Sequence, residues 1–249
     1  MIPLKKIYHS VMFQPNVFGV ILNPFYISRR SIYLKIKKNA HQIKGRTLDI
    51  GCGQKPYKNL FLNTTEYLGM DIEQSGHDHT NECIDIYYDG INFPFKTNEF
   101  DSIICNQVFE HLPNPEVILS EISRVLKPGG ILLITIPFIA DEHEQPYDFF
   151  RYTTFILNKL MNENQLKILI HKKLNNNIIL IFTQLWITYL YKLTKTKYPI
   201  ISLLLNPILF MPFTIIGLIL SFFIPNSNDF YLDSFLLIQS EKNIINNKQ

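Results

Sequence analysis

A short strand that runs straight into a glycine turn constrains the fold of this chain more than any other feature. The stretch LDIGCG, residues 48–53, carries two glycines around Cys52. Glycine adopts backbone conformations that other residues avoid, and it lets the backbone itself approach a ligand. A strand followed by such a turn is typical of open α/β sheets that bind a nucleotide-like ligand at the carboxyl ends of their strands. The turn therefore predicts an α/β fold with a ligand site beside Gly51 and Gly53.

Strand-like segments alternate with helical or loop segments along much of the chain. The strand-like segments are TLDI (47–50), EYLGMDI (66–72), ECIDI (82–86), FDSIIC (100–105), ILLITIP (131–137), LKILIH (166–171) and DSFLLIQS (233–240). This alternation predicts a parallel sheet with crossover helices. Residues 131–136 are apolar toward both faces, which predicts a central strand.

Two helices are predicted near these strands. In PEVILSEISRVL, residues 115–126, apolar residues recur at helical spacing, Pro115 lies in the first turn, and Pro128-Gly129-Gly130 ends the helix. A lysine-rich helix is predicted from Ser31 to about His41.

The glycine turn lacks the features of a phosphate-binding loop. The third glycine of the dinucleotide fingerprint would fall at position 56, which is proline, and no Gly-Lys-Ser/Thr sequence follows. A ligand without phosphates is therefore favoured. Polar residues accompany the predicted strand ends: Asp71, 22 residues after Asp49, can accept from both hydroxyls of a ribose, while Asp85 and Asn106 are predicted to end the third and fourth strands. Each acid alone could be a helix cap or a turn former, but together they predict one crevice.

In the order of its motifs, the chain resembles the class I S-adenosylmethionine-dependent methyltransferases of the type 11 methyltransferase-domain group. The resemblance covers residues 46–138 and rests on LDIGCG, GMD, FDSIICNQVFEHL and RVLKPGGILLITIP. It implies a Rossmann-like, seven-stranded, mostly parallel sheet with one antiparallel strand, and S-adenosylmethionine as the cofactor. Gln54-Lys55-Pro56-Tyr57 replaces the third glycine of the commonest pattern, but Gly-x-Gly followed by Pro-Tyr is also familiar in the family.

The same resemblance implies which residues bind the cofactor. Gly51 and Gly53 would lie beside its methionine part, Asp49 would help hold the amino group indirectly, and Asp71 would bind the ribose. Asp85 and Ile86 would contact the adenine, and Asn106 would line the methionine side. The full predicted set is Asp49, Gly51, Cys52, Gly53, Asp71, Ile72, Asp85, Ile86, Asn106 and Gln107.

The polar segment after the fifth strand, PFIADEHEQPYDFFRYT (137–153), is the predicted acceptor side. Methyl transfer from a sulfonium depends mainly on alignment, but a hydroxyl acceptor is helped by a base, and histidine suits that role near neutral pH. We predict His143 as this base, oriented by Asp148 or Glu144, with Arg151 completing the catalytic set. In the alternative, Asp148 and Arg151 form a surface pair leading into a helix and His143 only caps a loop.

Two further motifs contain histidine. His111, in EHL, is a second candidate base, although in this family it looks more often structural. The loop GHDHTNEC offers His77, Asp78, His79 and Cys83 as metal donors, but no second ligand cluster accompanies it. We therefore expect solvated loop residues there and no metal site. By resemblance, segments similar to the one around His143 occur in methyltransferases associated with bacterial surface polysaccharides.

Composition limits the partners and the compartment. The chain of 249 residues has 24 Lys and Arg against 21 Asp and Glu, a net charge of +3, which does not favour nucleic acid. Its three cysteines form no CxxC pair, which indicates a reducing, cytoplasmic setting. Pro and Asn interrupt the apolar N-terminal stretch and no small-residue cleavage site follows, so a signal peptide is not predicted.

An apolar helical insert is predicted between the sixth and seventh strands. The runs 175–191 and 199–225 contain no charged residue, but Asn206, Pro207 and Pro212 interrupt the second run. Because the chain must rejoin the sheet, the insert is predicted as a re-entrant hairpin or as interfacial helices beside the active site. Lysines and aromatic residues suit headgroup depth: Lys192, Lys195, Lys197, Trp186, Tyr189, Tyr191 and Tyr198. The alternative is a soluble helical lid or a dimer patch, which leaves a homodimer open.

The predicted organisation is an N-terminal cap (1–45), a methyltransferase domain (46–174 with 230–242) and the apolar insert (175–229). The predicted function is O-methylation of a sugar or a lipid-linked polysaccharide intermediate, in the cytoplasm or at the inner face of the cell membrane. The alternatives are C-methylation of a membrane quinone, which would not need His143, and a cofactor-binding protein without catalysis.

Overall fold

The computed structural model describes residues 11–17, 19–73, 83–194 and 207–242. The strands are β1 (Lys44–Ile50), β2 (Asn63–Ile72), β3 (Ile86–Tyr88), β4 (Phe100–Asn106), β5 (Leu126–Pro137), β6 (Leu166–Leu174) and β7 (Asp233–Ser240). The α-helices include α1 (Gly19–Leu22), α2 (Tyr26–Asn39), α3 (Pro115–Val125), α4 (Thr154–Glu163), α5 (Ile178–Thr194) and α6 (Met211–Ser221). Short 3-10 turns cover Ala40–Gln42, Lys58–Leu60 and Phe109–His111.

The strands form one seven-stranded sheet in the order β3-β2-β1-β4-β5-β7-β6. The pairs β1–β2, β1–β4, β2–β3 and β4–β5 are parallel, and β7 is antiparallel to both of its neighbours. The predicted fold class, a mostly parallel seven-stranded sheet with one antiparallel strand, is confirmed. The chain order reverses between β1 and β4, which is where sheets of this kind bind ligands.

Apolar side chains on both faces of the central strands form the core. In β5, residues 131–134 and Ile136 are buried, as expected for a strand covered on both faces. Helix α3 begins at Pro115, and it buries Ile118, Leu119, Ile122 and Val125 against the sheet.

Several element boundaries differ from the sequence prediction. Helix α2 begins five residues before Ser31, because Asn23 Oδ1 accepts from the Phe25 N–H at 2.8 Å and fixes the entry to the helix. Strand β5 already begins at Leu126, so Lys-Pro-Gly-Gly continues as strand after α3 ends. Gly129 accommodates this path with a φ of +72°.

The chain divides into two compact units. The sheet unit comprises residues 38–138, 142–172 and those from 234 onward, and it contains every predicted cofactor and catalytic residue. The helical unit comprises the residues up to 37 together with 139–141 and 173–233.

Asparagine side chains and one close helix crossing hold the helical unit. Asn175 Nδ2 donates to the Ile27 carbonyl at 3.1 Å, and Asn177 Nδ2 donates to the Ile224 carbonyl at 2.7 Å. Helices α5 and α6 approach closely at Gly217, where an added Cβ would lie 2.3 Å from Thr183 Oγ1.

One side of α5 exposes apolar side chains at helical spacing: Phe182, Trp186, Tyr189 and Leu193. The end of α6 and the residues after it expose Ile216, Ile219, Phe222 and Phe223. Within the described residues, no helix is both long and apolar enough to cross a bilayer. Lys195, Lys197, Tyr198 and Asn206, which belong to the predicted membrane-facing insert, lie outside the described residues.

Candidate active site

Both glycines of the turn after β1 adopt left-handed backbone conformations. Gly51 has a φ of +64° and Gly53 a φ of +44°, values that strain any other residue. At Gly51, an added Cβ would also lie 2.3 Å from Cγ2 of Val108. Packing against Val108 is therefore by itself a reason for glycine at position 51, whether or not a ligand also approaches the backbone there.

Asp71 ties the turn to the end of β2. Its Oδ2 accepts from the Gly53 N–H at 3.0 Å and its Oδ1 from the Ile72 N–H at 2.9 Å. The Gly51 N–H donates to the Met70 carbonyl at 2.9 Å. We call residues 51–53 with Asp71 the cofactor turn. The buried Cys52 packs over Gly69, where an added Cβ would lie 2.5 Å from its Sγ.

Asp49 is a buried carboxyl one residue before Ile50, the last residue of β1. Burial raises its pKa to about 7, and the neighbouring Asp71 adds to the rise, while a hydrogen bond from the Tyr67 hydroxyl, 2.6 Å away, opposes it. A carboxyl with this pKa changes its charge near neutral pH. Asp49 can therefore lose its proton and become negatively charged when a cation binds nearby.

Asp85 does not end the third strand, and that prediction is wrong. Strand β3 contains only Ile86–Tyr88, so Asp85 precedes it. Its carboxylate accepts from the Gly69 N–H at 2.7 Å and pairs with Lys55, and these contacts lower its pKa against the opposing effect of burial. Ile86 pairs with Met70, one step before Asp71.

The acid that follows the carboxyl end of β3 is Asp89. It accepts from the backbone N–H groups of Ile91 and Asn92 at 2.8 and 2.6 Å, and these bonds lower its pKa. The sequence signal for this position was the YYDG turn, residues 87–90, which the prediction passed over. Asp89 and Ile72 both line the cavity described below.

Asn106 and Gln107, at the end of β4, both face Thr135 on β5. The Thr135 hydroxyl donates to Asn106 Oδ1, and Gln107 Nε2 lies 3.3 Å from the same hydroxyl. Gln107 has a φ of +56°. The two residues therefore fix the exit of β4 against β5, next to the cofactor turn on β1.

A cavity of about 760 Å³ opens beside the ends of β2 and β3. The residues that line it are Ile72, Glu73, Tyr87, Tyr88, Asp89, Gly90, Ile91, His111, Leu112, Pro113, Asn114, Glu144 and Tyr147. The cavity therefore joins a predicted cofactor residue, Ile72, to His111 and Glu144 of the acceptor side. Among the cofactor residues predicted from sequence, only Ile72 lines it.

The segment 142–152, which we call the acceptor loop, is held on the 3-10 turn Phe109–His111. The N–H groups of Phe149 and Phe150 donate to the Glu110 carbonyl at 2.9 and 3.1 Å. The Tyr152 hydroxyl donates to the Phe109 carbonyl at 3.0 Å, and His111 Nδ1 lies 2.9 Å from the Tyr147 carbonyl.

His143 and His111 lie together, with ring centroids 4.8 Å apart in an edge-to-face arrangement. His143 Nδ1 is 3.4 Å from Asp148 Oδ2, and its backbone N–H donates to the same oxygen at 3.0 Å. Of the two acids predicted to orient His143, Asp148 contacts it in this way, whereas Glu144 Oε2 lies 3.8 Å from His111 Nε2.

Arg151 holds Asp148 with two hydrogen bonds of 2.6 and 2.7 Å. Burial raises the pKa of Asp148, but the hydrogen bonds from Arg151 and the His143 N–H outweigh it and lower the pKa to about 2. The Asp148 side chain is only 4% exposed, so this is not a surface ion pair. Asp148 stays ionised and can orient the His143 ring.

Glu110 is the residue that sequence reasoning missed. Its side chain is fully buried, and neither carboxylate oxygen accepts a hydrogen bond. Oε1 lies 3.6 Å from His111 Nε2 and 3.8 Å from His143 Nε2. The only sequence signal was its place in the EHL motif. Of the loop residues at which the sequence predicts no metal site, His77, Asp78 and His79 lie outside the described residues, and Cys83 is exposed.

Comparison with known proteins identifies the family. The family model described as "Methyltransferase domain" matches residues 48–134, from the middle of β1 into β5. By this match, residues 48–134 are a methyltransferase domain of the class I S-adenosylmethionine-dependent type. The cofactor turn and Asp71 lie inside the matched range, whereas the acceptor loop lies outside it.

The matches to curated relatives cover only part of the chain. An uncharacterized protein of Methanocaldococcus jannaschii is 32% identical over 128 residues, 48% of this chain and 61% of that protein. Demethylmenaquinone methyltransferase of Staphylococcus haemolyticus is 27% identical over 110 residues, 39% of this chain and 46% of that enzyme. The chain thus spans about half the length of these curated relatives.

A solved structure extends the similarity of fold. Phosphoethanolamine N-methyltransferase 2 of Haemonchus contortus, in complex with S-adenosyl-L-methionine, has a TM-score of 0.53 at 15% identity, covering 94% of this chain and 59% of that chain. At this identity the likeness concerns the fold alone.

Proposed function

We propose that the protein transfers a methyl group from S-adenosylmethionine to an oxygen of a small hydroxyl-bearing acceptor, a sugar or a lipid-linked polysaccharide intermediate. The observation that carries the proposal is the arrangement Arg151–Asp148–His143 on the acceptor loop, in which the Asp148 side chain is buried between the other two. A histidine held by an ionised carboxylate can accept the proton that a hydroxyl must lose.

The residues of the cofactor turn fit S-adenosylmethionine. Asp71 offers an ionisable carboxylate at the end of β2 for the ribose hydroxyls, and Gly51 and Gly53 expose backbone. Asp49, with a pKa near 7, can ionise in response to the charge of the cofactor. When bound, S-adenosylmethionine supplies an electrophilic methyl group on a positively charged sulfur. The assigned roles of Cys52, Asp85, Ile86, Asn106 and Gln107 remain part of this proposal.

On the acceptor side, the role of His143 is to remove the hydroxyl proton as the O–CH₃ bond forms and the S–CH₃ bond breaks. The proton passes to Nε2 of His143, because Nδ1 faces Asp148. Asp148 and Arg151 are positioning residues: they fix the ring without touching the reacting atoms. The products are the methyl ether and S-adenosylhomocysteine.

The exposed apolar residues of the helical unit support an acceptor with a lipid tail. Phe182, Trp186, Tyr189 and Leu193 lie on one side of α5, and Lys192 follows at its end. Aromatic and basic residues at one level suit the headgroup region of a membrane. We therefore propose that the protein lies at the inner face of the membrane, in peripheral contact with lipid.

A second candidate is C-methylation of a membrane quinone. The observation in its favour is the similarity to demethylmenaquinone methyltransferase, whose name states such an acceptor. This chemistry would use the same cofactor turn and the same lipid contact, but it would not need His143.

One pair of measurements tests the proposal. Calorimetric titration with S-adenosylmethionine measures cofactor binding, and mass spectrometry of host glycans and lipids, with and without the protein, detects a mass increase of one methyl group. His143→Asn should lower turnover by about 10²- to 10⁴-fold with cofactor affinity unchanged, while His41→Gln, an exposed histidine outside the site, should have no effect. Full turnover of a quinone by His143→Asn would support the second candidate, and cofactor binding without any methylated product would indicate a non-catalytic protein.

A further inference from the structure

We propose that Glu110, His111 and His143 form a binding site for one divalent transition-metal ion, of which Zn²⁺ and Co²⁺ are the test cases. One ligand atom from each residue can be chosen so that all three lie within 4.8 Å of one another. Two imidazoles and a carboxylate are the donor set of many catalytic zinc and non-haem iron sites. Hard ions such as Mg²⁺ and Ca²⁺ prefer all-oxygen ligands and are not expected here.

The spacing of the donor atoms suits a single ion. Glu110 Oε1 is 3.6 Å from His111 Nε2 and 3.8 Å from His143 Nε2. Ligand atoms at about 2.0–2.1 Å from a tetrahedral ion are about 3.3 Å apart, so the two distances from Glu110 Oε1 would each shorten by about half an ångström or less, and the two histidine nitrogens, which lie within 4.8 Å of each other, would also approach. Both separations are too long for a hydrogen bond, so the three groups do not satisfy one another.

The other nitrogen of each ring determines what faces Glu110. His111 Nδ1 lies 2.9 Å from the Tyr147 carbonyl, which can only accept, so Nδ1 carries a proton. His143 Nδ1 faces the Asp148 carboxylate at 3.4 Å, which favours a proton there too. In the neutral rings, both Nε2 atoms therefore direct a lone pair toward Glu110. Metal-binding histidines have this arrangement, with the second nitrogen donating to a carbonyl or carboxylate.

Glu110 supplies an independent indication. Its side chain is fully buried, and neither carboxylate oxygen accepts a hydrogen bond. A buried carboxylate that is not compensated is strongly unfavourable, and two nitrogen lone pairs facing it add repulsion. A cation between the three atoms would remove both penalties.

The site is open toward the cavity on one side. Of the three proposed ligands, His111 lines the cavity of about 760 Å³, together with Glu144 and Tyr147, so water or an acceptor oxygen could approach the ion from the side of His111. Glu144 Oε2, 3.8 Å from His111 Nε2, is near enough to contact a ligand on the ion. Three protein ligands with one position left for water or substrate are typical of catalytic sites.

The inference goes beyond the proposed function, because ion binding does not require methyl transfer. If the ion is bound during turnover, His143 Nε2 is a ligand and no longer accepts the proton. The ion would then lower the pKa of a coordinated acceptor hydroxyl in place of the ring, while Asp148 and Arg151 keep the same positioning role.

The test uses the full chain without a histidine tag, treated with chelator and then titrated with Co²⁺ and Zn²⁺. We expect one equivalent of each ion to bind, competitively, with visible d–d absorption for Co²⁺ that indicates nitrogen ligands. Glu110→Gln and His143→Asn should each weaken binding at least 100-fold, and His41→Gln should leave it unchanged. Zn²⁺ should also raise the thermal midpoint of the wild type and of His41→Gln alone.

Folding of the variants is checked by calorimetric binding of S-adenosylmethionine, which should match the wild type in each. Saturable binding of less than one equivalent, or affinities that do not differ between wild type, Glu110→Gln and His143→Asn, would overturn the inference. Cofactor binding and methyl transfer that are unaffected by chelator, with no ion bound, would sink the metal site and leave the proposed function standing. Stoichiometric ion binding without any methylated product would support the metal site and contradict the proposed function.

Discussion

The cofactor turn and the acceptor loop are held in different ways. Asp71 accepts from the Gly53 N–H across only 18 residues of chain; Asp71 lies on β2, and Gly53 lies in the turn that follows the adjacent parallel strand β1. The acceptor loop depends on Phe109–His111, where the Tyr147 contact and the Tyr152 hydrogen bond span 36 and 43 residues. The first region is thus built by a local motif, whereas the second depends on a long-range return of the chain.

The largest expected change in cofactor affinity tests whether the cofactor turn depends on Asp71. Asp71→Ala removes the acceptor of the Gly53 N–H bond and the proposed ribose ligand. Hydrogen bonds to charged groups contribute about 1.5–3 kcal/mol each, so the Kd for S-adenosylmethionine should rise at least about 100-fold by calorimetry.

Asp101→Ala is the matched control, because that carboxylate accepts from the Arg46 N–H at the opposite end of the sheet. It should lower stability and leave cofactor affinity within about twofold. Equal affinities for the two variants would mean that Asp71 does not organise the turn.

The two regions should also respond to pH in opposite directions. The pKa of Asp49 is raised from 3.8 to about 7, so the folded state binds more protons than the unfolded chain between these values. Its favourable contribution is complete below pH 4 and is lost as the pH rises to about 7, a change of roughly 4 kcal/mol at about 1.4 kcal/mol per pKa unit. Asp148, whose pKa is lowered to about 2, contributes above pH 4 and loses this contribution on acidification.

Denaturant unfolding of wild type and Asp49→Asn between pH 4 and 8 isolates the first effect. The difference between the two curves should fall with rising pH and level off above about 7. Tyr67→Phe, which removes the hydrogen bond to Asp49, should move the upper end of this window to higher pH. A difference curve that stays flat would show that Asp49 titrates normally.

The contrast explains how much the sequence could predict. Local sequence signals predicted three features that the structure contains: the glycine turn in residues 48–53, the strand end at Asp71, and the helix that begins at Pro115. Asp85 was misplaced because Ile84 and Ile86 alternate like a strand, while the pairing with β2 begins only at Ile86. Glu110 was missed because the acceptor loop, residues 142–152, packs against it from a distant part of the sequence. No local sequence pattern indicates this long-range contact.

A smaller effect tests the acceptor loop alone. Asp148→Asn removes the charge that faces His143 Nδ1 and that Arg151 holds, and we expect kcat to fall about 10- to 100-fold, as when a histidine loses an orienting carboxylate. The KM for S-adenosylmethionine should stay unchanged, and the pH profile of kcat should shift, which a purely structural role would not produce. Asp141→Asn is the control outside the loop; a parallel rise in the cofactor KM would mean that the two regions are not independent.

The smallest effect concerns the return of the chain itself. Tyr152→Phe deletes the hydroxyl that donates to the Phe109 carbonyl at 3.0 Å but keeps the ring, which is 4% exposed and packs near Phe109 and Phe150. A hydrogen bond of this kind contributes about 1 kcal/mol, and denaturant unfolding should register that loss, with Tyr33→Phe on α2 as a half-buried control near zero. Cofactor affinity should not change, because the bonds of the cofactor turn do not involve Tyr152. Weaker cofactor binding by Tyr152→Phe would instead mean that the long-range anchor also sets the geometry of the turn, and the distinction between a local and a long-range half of the site would fail.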